Sequence, residues 1–156
     1  MIIHKSKGFT LIELSLVMSI MAILLGFISI GLVRSQQNVS LFTTEEVLAT
    51  DLRQQQLKAM IGDTEGRTTS DQYGIHFDAN RYVLFHGSSF SEDSSNFVNN
   101  LSSNLQFNNA GFNVIFSRVS GEISSPVIIN LQDKTTSSLK RIHINSMGVI
   151  TQVESL

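Results

Sequence analysis

The sequence predicts an α+β fold: a long N-terminal helix, transmembrane and then amphipathic, packed against a C-terminal antiparallel β-sheet or β-sandwich. Three observations support this prediction. Residues 14–33 carry no charge, an apolar stripe with helical spacing follows as far as Ala59, and short alternating segments rich in β-branched residues begin at Tyr73. The chain has 156 residues, so the part after the anchor can form one small domain with a modest core.

The uncharged run, LSLVMSIMAILLGFISIGLV, is twenty residues long. At about 1.5 Å of rise per residue, such a helix matches the roughly 30 Å hydrocarbon core of a bilayer. Lys5 and Lys7 precede the run and only Arg34 follows it closely, which predicts a cytoplasmic N-terminus and an exported C-terminal domain. A removable secretory signal is disfavoured, because its apolar core usually has about 7 to 15 residues and ends at a small-x-small site.

One carboxylate, Glu13, lies at the start of this apolar region. A charge at the centre of a membrane helix costs about 2.5 to 3.5 kcal/mol on insertion scales and usually has a partner. No Lys, Arg or His lies between residues 8 and 33 to supply one. Two interpretations are open: Glu13 reaches water at the cytoplasmic interface, or its partner is a new N-terminal amine, made by cutting between Gly8 and Phe9 and offered by a neighbouring subunit.

The stretch KGFTLIEL, residues 7–14, resembles the cleavage and methylation site of type IV pilins and type II secretion pseudopilins. The shared features are a basic leader ending in Gly8, Phe9 as the first mature residue, and Glu13 at the fifth mature position before an unbroken apolar helix. The resemblance implies that a prepilin peptidase cuts after Gly8 and methylates the Phe9 amine. It also implies that Glu13 pairs with a Phe9 amine when subunits assemble.

The same resemblance implies a non-enzymatic structural subunit without a cofactor. Its partners would be the prepilin peptidase, other pilin or pseudopilin subunits and the inner-membrane assembly platform. The protein would reside in the bacterial inner membrane and then in an extracytoplasmic filament. Many type IV pilins close a C-terminal loop with a disulfide, whereas this chain has no cysteine, and this difference favours a pseudopilin or minor pilin.

Four segments follow from this interpretation. They are a basic leader (1–8), a transmembrane helix (9–33), an amphipathic continuation of that helix (34–61) and an antiparallel β head (62–156). The continuation is predicted because apolar residues recur at steps of seven, four and seven with charged residues between them. These residues are Leu41, Leu48, Leu52 and Ala59, and Gly62 is expected to end the helix.

Two glycines interrupt the predicted membrane helix, Gly26 and Gly31. Many members of the resembled family have a proline in this half of the helix, where this chain has Ile30. Glycine costs only about 1 kcal/mol in a helix, against about 3 kcal/mol for proline. Either the two glycines are the points at which the helix bends or melts in a filament, or they let neighbouring helices approach closely.

Beyond Tyr73 the sequence predicts strands. YGIHF and RYVLFHG flank the turn DAN and predict a hairpin in which His76 faces Val83. Four more short segments rich in β-branched residues follow, FNVIFSRV, SPVIINL, LKRIHIN and MGVITQV. Residues 87–104 are rich in serine and asparagine and predict a long exposed loop.

The strand region resembles one branch of the family, the GspH and FimT-like pseudopilins and minor pilins. The residues that carry this second resemblance are YGIHFDANRYVLFHG (73–87), FSRVSGEI (116–123) and IHINSMGVITQ (142–152). It implies a β-sandwich head packed on the outer half of the helix, and a low-copy position near the tip or along the length of a filament.

No catalytic, cofactor or metal site is predicted. His76, His86 and His143 have no paired spacing, and there is no cysteine to complete a zinc site. No G-x-S-x-G elbow or glycine-rich phosphate loop occurs. Asp78 and Asn80 offer too few oxygens for calcium, which takes about six to eight.

Three functions in different classes are therefore open: a structural filament subunit, a DNA-receptor minor pilin, and an unrelated single-span anchored exported enzyme or sensor. Duplex DNA binding needs a basic face, but residues 35–156 contain eight basic and twelve acidic residues. Lys134, Lys140 and Arg141 bracket one loop and form a local basic cluster. The net negative charge disfavours nucleic acid as a partner.

Overall fold

The computed structural model describes residues 10–156, with the backbone alone for residues 27–39. In this part of the chain one α-helix is followed by eight β-strands, so the predicted α+β class is confirmed. The helix α1 spans Leu11–Ile61. The strands are β1 (Tyr73–Phe77), β2 (Arg81–His86), β3 (Phe97–Asn100), β4 (Leu105–Phe107), β5 (Phe112–Phe116), β6 (Val127–Asp133), β7 (Leu139–Ile144) and β8 (Ile150–Ser155).

The chain divides into two compact units, residues 1–36 and residues 37–156. The described part of the first unit is helical from Leu11 onward. The second unit contains the remainder of α1 and all eight strands.

The strands form two four-stranded antiparallel sheets. Sheet A has the order β3-β2-β1-β5, and sheet B has the order β4-β6-β7-β8. The β1–β2 hairpin pairs His76 with Val83, which confirms the predicted register. The chain changes sheet repeatedly: β1 to β3 belong to sheet A, β4 to sheet B, β5 to sheet A, and β6 to β8 to sheet B.

The prediction of a loop over residues 87–104 is wrong at residues 97–100. Residues Phe97–Asn100 form β3, which pairs antiparallel with β2. Leu105–Phe107, which the sequence did not predict as a strand, forms β4 and pairs with β6. Asparagine has a low strand propensity, so pairing with β2 decides the conformation of FVNN.

The predicted apolar stripe of α1 forms part of the core, which confirms its orientation. Each of its four residues is at most 5% exposed. They belong to one buried cluster with residues of both sheets, among them Ile75, Phe77 and Phe116 from sheet A and Leu131 and Ile142 from sheet B. Full burial of a side chain such as Leu48 contributes about 1.5 to 3 kcal/mol.

The helix ends where Gly62 was expected to stop it. Gly62 has a φ of 66°, in the left-handed region that glycine adopts most readily. The N–H of Asp63 donates to the C=O of Lys58 at 3.0 Å. This hydrogen bond between residues five apart, with glycine at the left-handed position, is a Schellman cap, which satisfies a carbonyl that the helix end would leave unpaired.

Two polar side chains of α1 make polar contacts to the strands and loops of the second unit. Glu45 is only 6% exposed and lies 3.7 Å from the Lys140 ammonium. Gln56 donates through Nε2 to the C=O of Gly121 at 3.0 Å and of Met147 at 2.8 Å. The helix therefore fixes the two loops that precede β6 and β8.

The second of these loops has no room for a side chain at Gly148. Its φ is 76°, and a Cβ there would lie 2.5 Å from the Gly121 carbonyl oxygen and 2.6 Å from Gln56 Nε2. Gly111 is a matched control because its φ is 81° and nothing lies within 4 Å of its Cβ position.

We expect Gly148→Ala to lower the free energy of unfolding by about 2 to 4 kcal/mol, from backbone strain plus overpacking. Gly111→Ala should cost only about 1 to 2 kcal/mol, because backbone strain acts alone. Chemical denaturation of the full chain in detergent micelles measures both values. Equal losses would contradict the tight packing of the Gly148 loop on α1.

Candidate processing and assembly site

The helix α1 begins with a capping box formed by Thr10 and Glu13. The N–H and the Oγ1 hydroxyl of Thr10 donate to Glu13 Oε2 at 2.9 and 2.8 Å. In return, the N–H of Glu13 donates to Thr10 Oγ1 at 3.3 Å. These reciprocal bonds satisfy backbone N–H groups that a helix start otherwise leaves without a partner. The exposed carboxylate of Glu13 thus has a local partner within its own chain.

The sequence pattern predicted no role for Thr10, although the signal for one is present. TLIE, residues 10–13, fits the T-x-x-E capping box and stands directly before an apolar run. The sequence predicts two alternative surroundings for the Glu13 carboxylate, water at the membrane interface or the N-terminal amine of a neighbouring subunit. The structure adds a third role, the capping of its own helix.

A cut between Gly8 and Phe9 would leave every atom of this capping box in the chain, because the Thr10 N–H belongs to the Phe9–Thr10 peptide bond. Within the described residues, both Thr10 donors bond to Oε2 of Glu13. Oε1 could therefore accept a further donor without displacing Thr10. Gly8 and Phe9, like Lys5 and Lys7 of the predicted leader, lie outside the described residues.

The first turns of α1 present an apolar surface on every side. The large apolar side chains from Leu11 to Leu25 are each at least half exposed. Ser15 and Ser19 bond to carbonyls of their own helix, those of Ile12 and Ser15, at 3.0 and 2.8 Å. A helix that is apolar all round is typical of burial in a protein core or a membrane.

In the described part of the chain, no helix was found with the length and apolar character needed to span a bilayer. Residues 27–33 of the predicted span lie outside the described side chains.

The glycines of the predicted membrane helix lie within helical backbone. A Cβ at Gly26 would have nothing within 4 Å. The surroundings of Gly31 fall among residues whose side chains are not described. Both roles considered for these glycines, bending and close helix approach, stay predictions.

The histidines of the head lie apart on β1, β2 and β7. His76 has Nδ1 2.6 Å from Asn113 Oδ1 and Nε2 3.2 Å from Asp78 Oδ1. Arg81 donates to the other Asp78 oxygen at 2.7 Å, and this hydrogen bond lowers the pKa of Asp78. Residues 10–156 contain no group of three or more side chains suited to holding a metal. The other two histidines each lie near one carboxylate, His86 near Asp71 and His143 near Glu154.

The local basic cluster considered for DNA is largely paired with carboxylates. Lys140 lies 3.7 Å from Glu45, and Arg141 lies 3.2 Å from Glu154. A phosphate backbone would have to compete with these carboxylates for both side chains.

Comparison with known families identifies the N-terminal segment. Residues 3–29 match the family model described as the prokaryotic N-terminal methylation motif. The chain carries this methylation motif. Searches of curated proteins and of solved structures gave no match.

The methylation motif is consistent with the type IV pilin and pseudopilin family, to which KGFTLIEL shows the resemblance. It implies processing by a prepilin peptidase and assembly with other pilin-like subunits. The matched residues 3–29 include the complete capping box and the exposed apolar surface up to Leu25. The described geometry of the motif is therefore that of a capped helix with an uncovered apolar surface.

The capping box can be tested at Thr10. Thr10→Val keeps the shape of the side chain but removes the hydroxyl that accepts the Glu13 N–H, so we expect that amide to exchange hydrogen about fivefold faster. Thr10→Ser retains the hydroxyl and should exchange like the wild type. Hydrogen exchange of the full chain in micelles, followed by NMR, measures the difference. Identical rates in the two variants would contradict the capping box.

Proposed function

We propose that this protein is a structural subunit, a minor pseudopilin or minor pilin, that joins a type II secretion pseudopilus or a type IV pilus. A prepilin peptidase would first cut between Gly8 and Phe9 and methylate the Phe9 amine. The observation that carries this proposal is the methylation motif over residues 3–29, which includes an exposed apolar helix surface. The protein acts by assembling, not by catalysing a reaction, and needs no cofactor.

The exposed apolar surface from Leu11 to Leu25 supports a change of environment during this assembly. Before assembly the surface would lie in the inner membrane, with the N-terminus in the cytoplasm and the head outside. In the filament the helices of neighbouring subunits would cover the same surface. Lipid and apolar helices are both suitable surroundings for this surface. Neither offers hydrogen-bond partners, and none is needed, because the helix satisfies its own backbone N–H and C=O groups.

The head supports the narrower proposal of a GspH or FimT-like subunit. Its two antiparallel sheets pack on the outer part of α1, around Leu48 and Leu52. Such a subunit would occupy a low-copy position near the tip or along the length of the filament. DNA reception is the weaker alternative, because two of the three clustered basic side chains face carboxylates.

The capping box defines how Glu13 would act in assembly. Oε2 would keep its bonds to Thr10, and Oε1 would receive the methylated amine of Phe9 from an adjacent subunit. A charge inside a dry filament core needs a partner. An incoming subunit would therefore be favoured only when its amine reaches the level of Glu13, and the pair would set the register of the filament.

Leader removal is the first test. Mass spectrometry of the membrane form, from cells with an active prepilin peptidase, should show a chain that starts at methylated Phe9. Gly8→Arg should block both cutting and assembly, because the bulky charge replaces the smallest residue at the cut. Gly8→Ala should be partly tolerated, since alanine is nearly as small. An intact chain starting at Met1 in such cells would overturn the proposed processing.

A pair of variants at Glu13 separates charge pairing from helix capping. Glu13→Gln keeps a side chain suited to the capping box but has no charge, whereas Glu13→Val loses both. Both variants should be cut and inserted normally, and both should enter filaments less than the wild type, as measured by crosslinking to neighbouring subunits. If Glu13→Gln assembled normally and only Glu13→Val failed, capping and not charge pairing would be the function of Glu13.

A further inference from the structure

Residues 88–96 form a strap that leads from Gly87 to β3, and the strap is hydrogen-bonded only to itself through its backbone. The N–H of Asn96 donates to the C=O of Asp93 at 3.2 Å, and the N–H of Ser95 donates to Asp93 Oδ1 at 2.8 Å. The Asn96 side chain donates to the C=O of Ser91 at 2.7 Å. Within residues 10–156, no hydrogen bond joins the strap backbone to another element. The strap can therefore move without breaking backbone pairing elsewhere.

Two buried apolar residues of sheet A lie outside the main core. Val83 is fully buried and Phe85 is 4% exposed, yet neither belongs to the cluster that joins α1 and the two sheets. Their partners on β1 are His76 and Gly74. Because side chains alternate between the faces of a strand, these four residues lie on the outer face of sheet A, opposite to Ile75 and the core.

Phe90 of the strap packs on this outer face. Its ring stacks on His76, with ring centroids 4.0 Å apart and an angle of 3° between the planes, and meets Phe85 edge to face at 5.5 Å. A Cβ at Gly74 would lie 2.7 Å from Phe85 Cζ, so the glycine lets the Phe85 ring lie close to β1. All other strap residues except Asn96 are exposed. Phe90 is thus the apolar anchor of the strap.

A chain of charged groups makes the second attachment. Arg81 Nη2 lies 2.5 Å from Glu92 of the strap, and Arg81 Nε donates to Asp78 at 2.7 Å. The other oxygen of Asp78 lies 3.2 Å from Nε2 of His76, the residue on which Phe90 stacks. The side chain of Glu92 is 65% exposed, and exposed ion pairs contribute little to stability. The contacts of the Phe90 ring are therefore the stronger attachment.

We propose that the strap is a conformational switch, which opens as one unit when Phe90 leaves His76 and Phe85. Since the backbone bonds of the strap are internal, opening breaks only side-chain attachments and leaves the pairing of β2 intact. Gly87 is the pivot, because its φ of 110° is a conformation that only glycine adopts readily. The closed strap keeps Val83 and Phe85 from contact with other molecules, and the open strap exposes them. The switch belongs to the head and does not depend on the proposed filament role.

Opening can be measured by the reactivity of a single thiol, since the chain has no cysteine. Val83→Cys places a thiol on the outer face, beneath the strap. Val114→Cys is the matched control, because Val114 is 1% exposed and lies in the main core cluster. An aromatic disulfide reagent is added to the full chain in detergent micelles. We expect Val83→Cys to react at least about tenfold faster, because local opening requires less free energy than global unfolding.

Variants at Phe90 assign the opening to the strap. Phe90→Ser removes the ring and should make Val83→Cys react about fivefold faster, whereas Phe90→Tyr keeps the ring and should react like the parent. Glu92→Gln should increase the rate less than Phe90→Ser, because the ion pair is exposed. Phe90→Ser should leave the rate of Val114→Cys unchanged, since the core does not contain the strap.

Equal reaction rates of the two thiols in variants with the same thermal transition would overturn the proposal. Phe90→Ser supplies a test that does not depend on comparing the two positions. If it accelerated both thiols equally, the strap would open only with the whole head. If it left Val83→Cys unchanged, Phe90 would not hold the strap closed. Either result would refute the switch.

Discussion

The contact between the buried stripe of α1 and the two sheets organises the second unit. Sheets A and B share no strand within the described residues. Packing of their side chains joins them, together with backbone hydrogen bonds such as that from the N–H of Phe107 in β4 to the C=O of Ala79 in the β1–β2 turn. Leu48 and Leu52 lie in the same buried cluster as residues of both sheets. Phe77 of sheet A also meets Phe107 of sheet B edge to face, with ring centroids 5.1 Å apart. Since removing a buried leucine costs about 2 to 5 kcal/mol and a domain has about 5 to 15 kcal/mol in all, this packing accounts for much of the stability.

The start of α1 solves a different physical problem, that of a carboxylate next to an apolar surface. Glu13 would be costly in hydrocarbon without a partner, and Thr10 supplies one from the same turn. The capping box uses one carboxylate oxygen among the described contacts. The same residue can therefore stabilise an isolated helix and still respond to a neighbouring subunit, which links local structure to the proposed assembly.

Sequence patterns predicted the elements that local chemistry determines. The spacing of Leu48 and Leu52 gave the orientation of α1, and Gly62 marked its end, because helix periodicity and the left-handed cap are local properties. The strand β3 was missed because its FVNN sequence becomes a strand only by pairing with β2. A cleft of about 370 Å³ between α1 and sheet A could not be predicted either, since Gln55 and Phe97, which both line it, come from distant parts of the chain.

The order in which the chain visits the two sheets limits how such a head can change in evolution. Because β4 of sheet B lies between β3 and β5 of sheet A in the sequence, neither sheet corresponds to one continuous segment. Recombination between related genes cannot exchange one sheet and leave the other intact. Connections such as residues 87–96, which precede β3, can change in length without interrupting either sheet. Positions such as Phe90, which stacks on His76, are constrained by the strands they contact. Diversity among heads of this topology should therefore arise in the length and composition of such loops, on an architecture that is inherited as a whole.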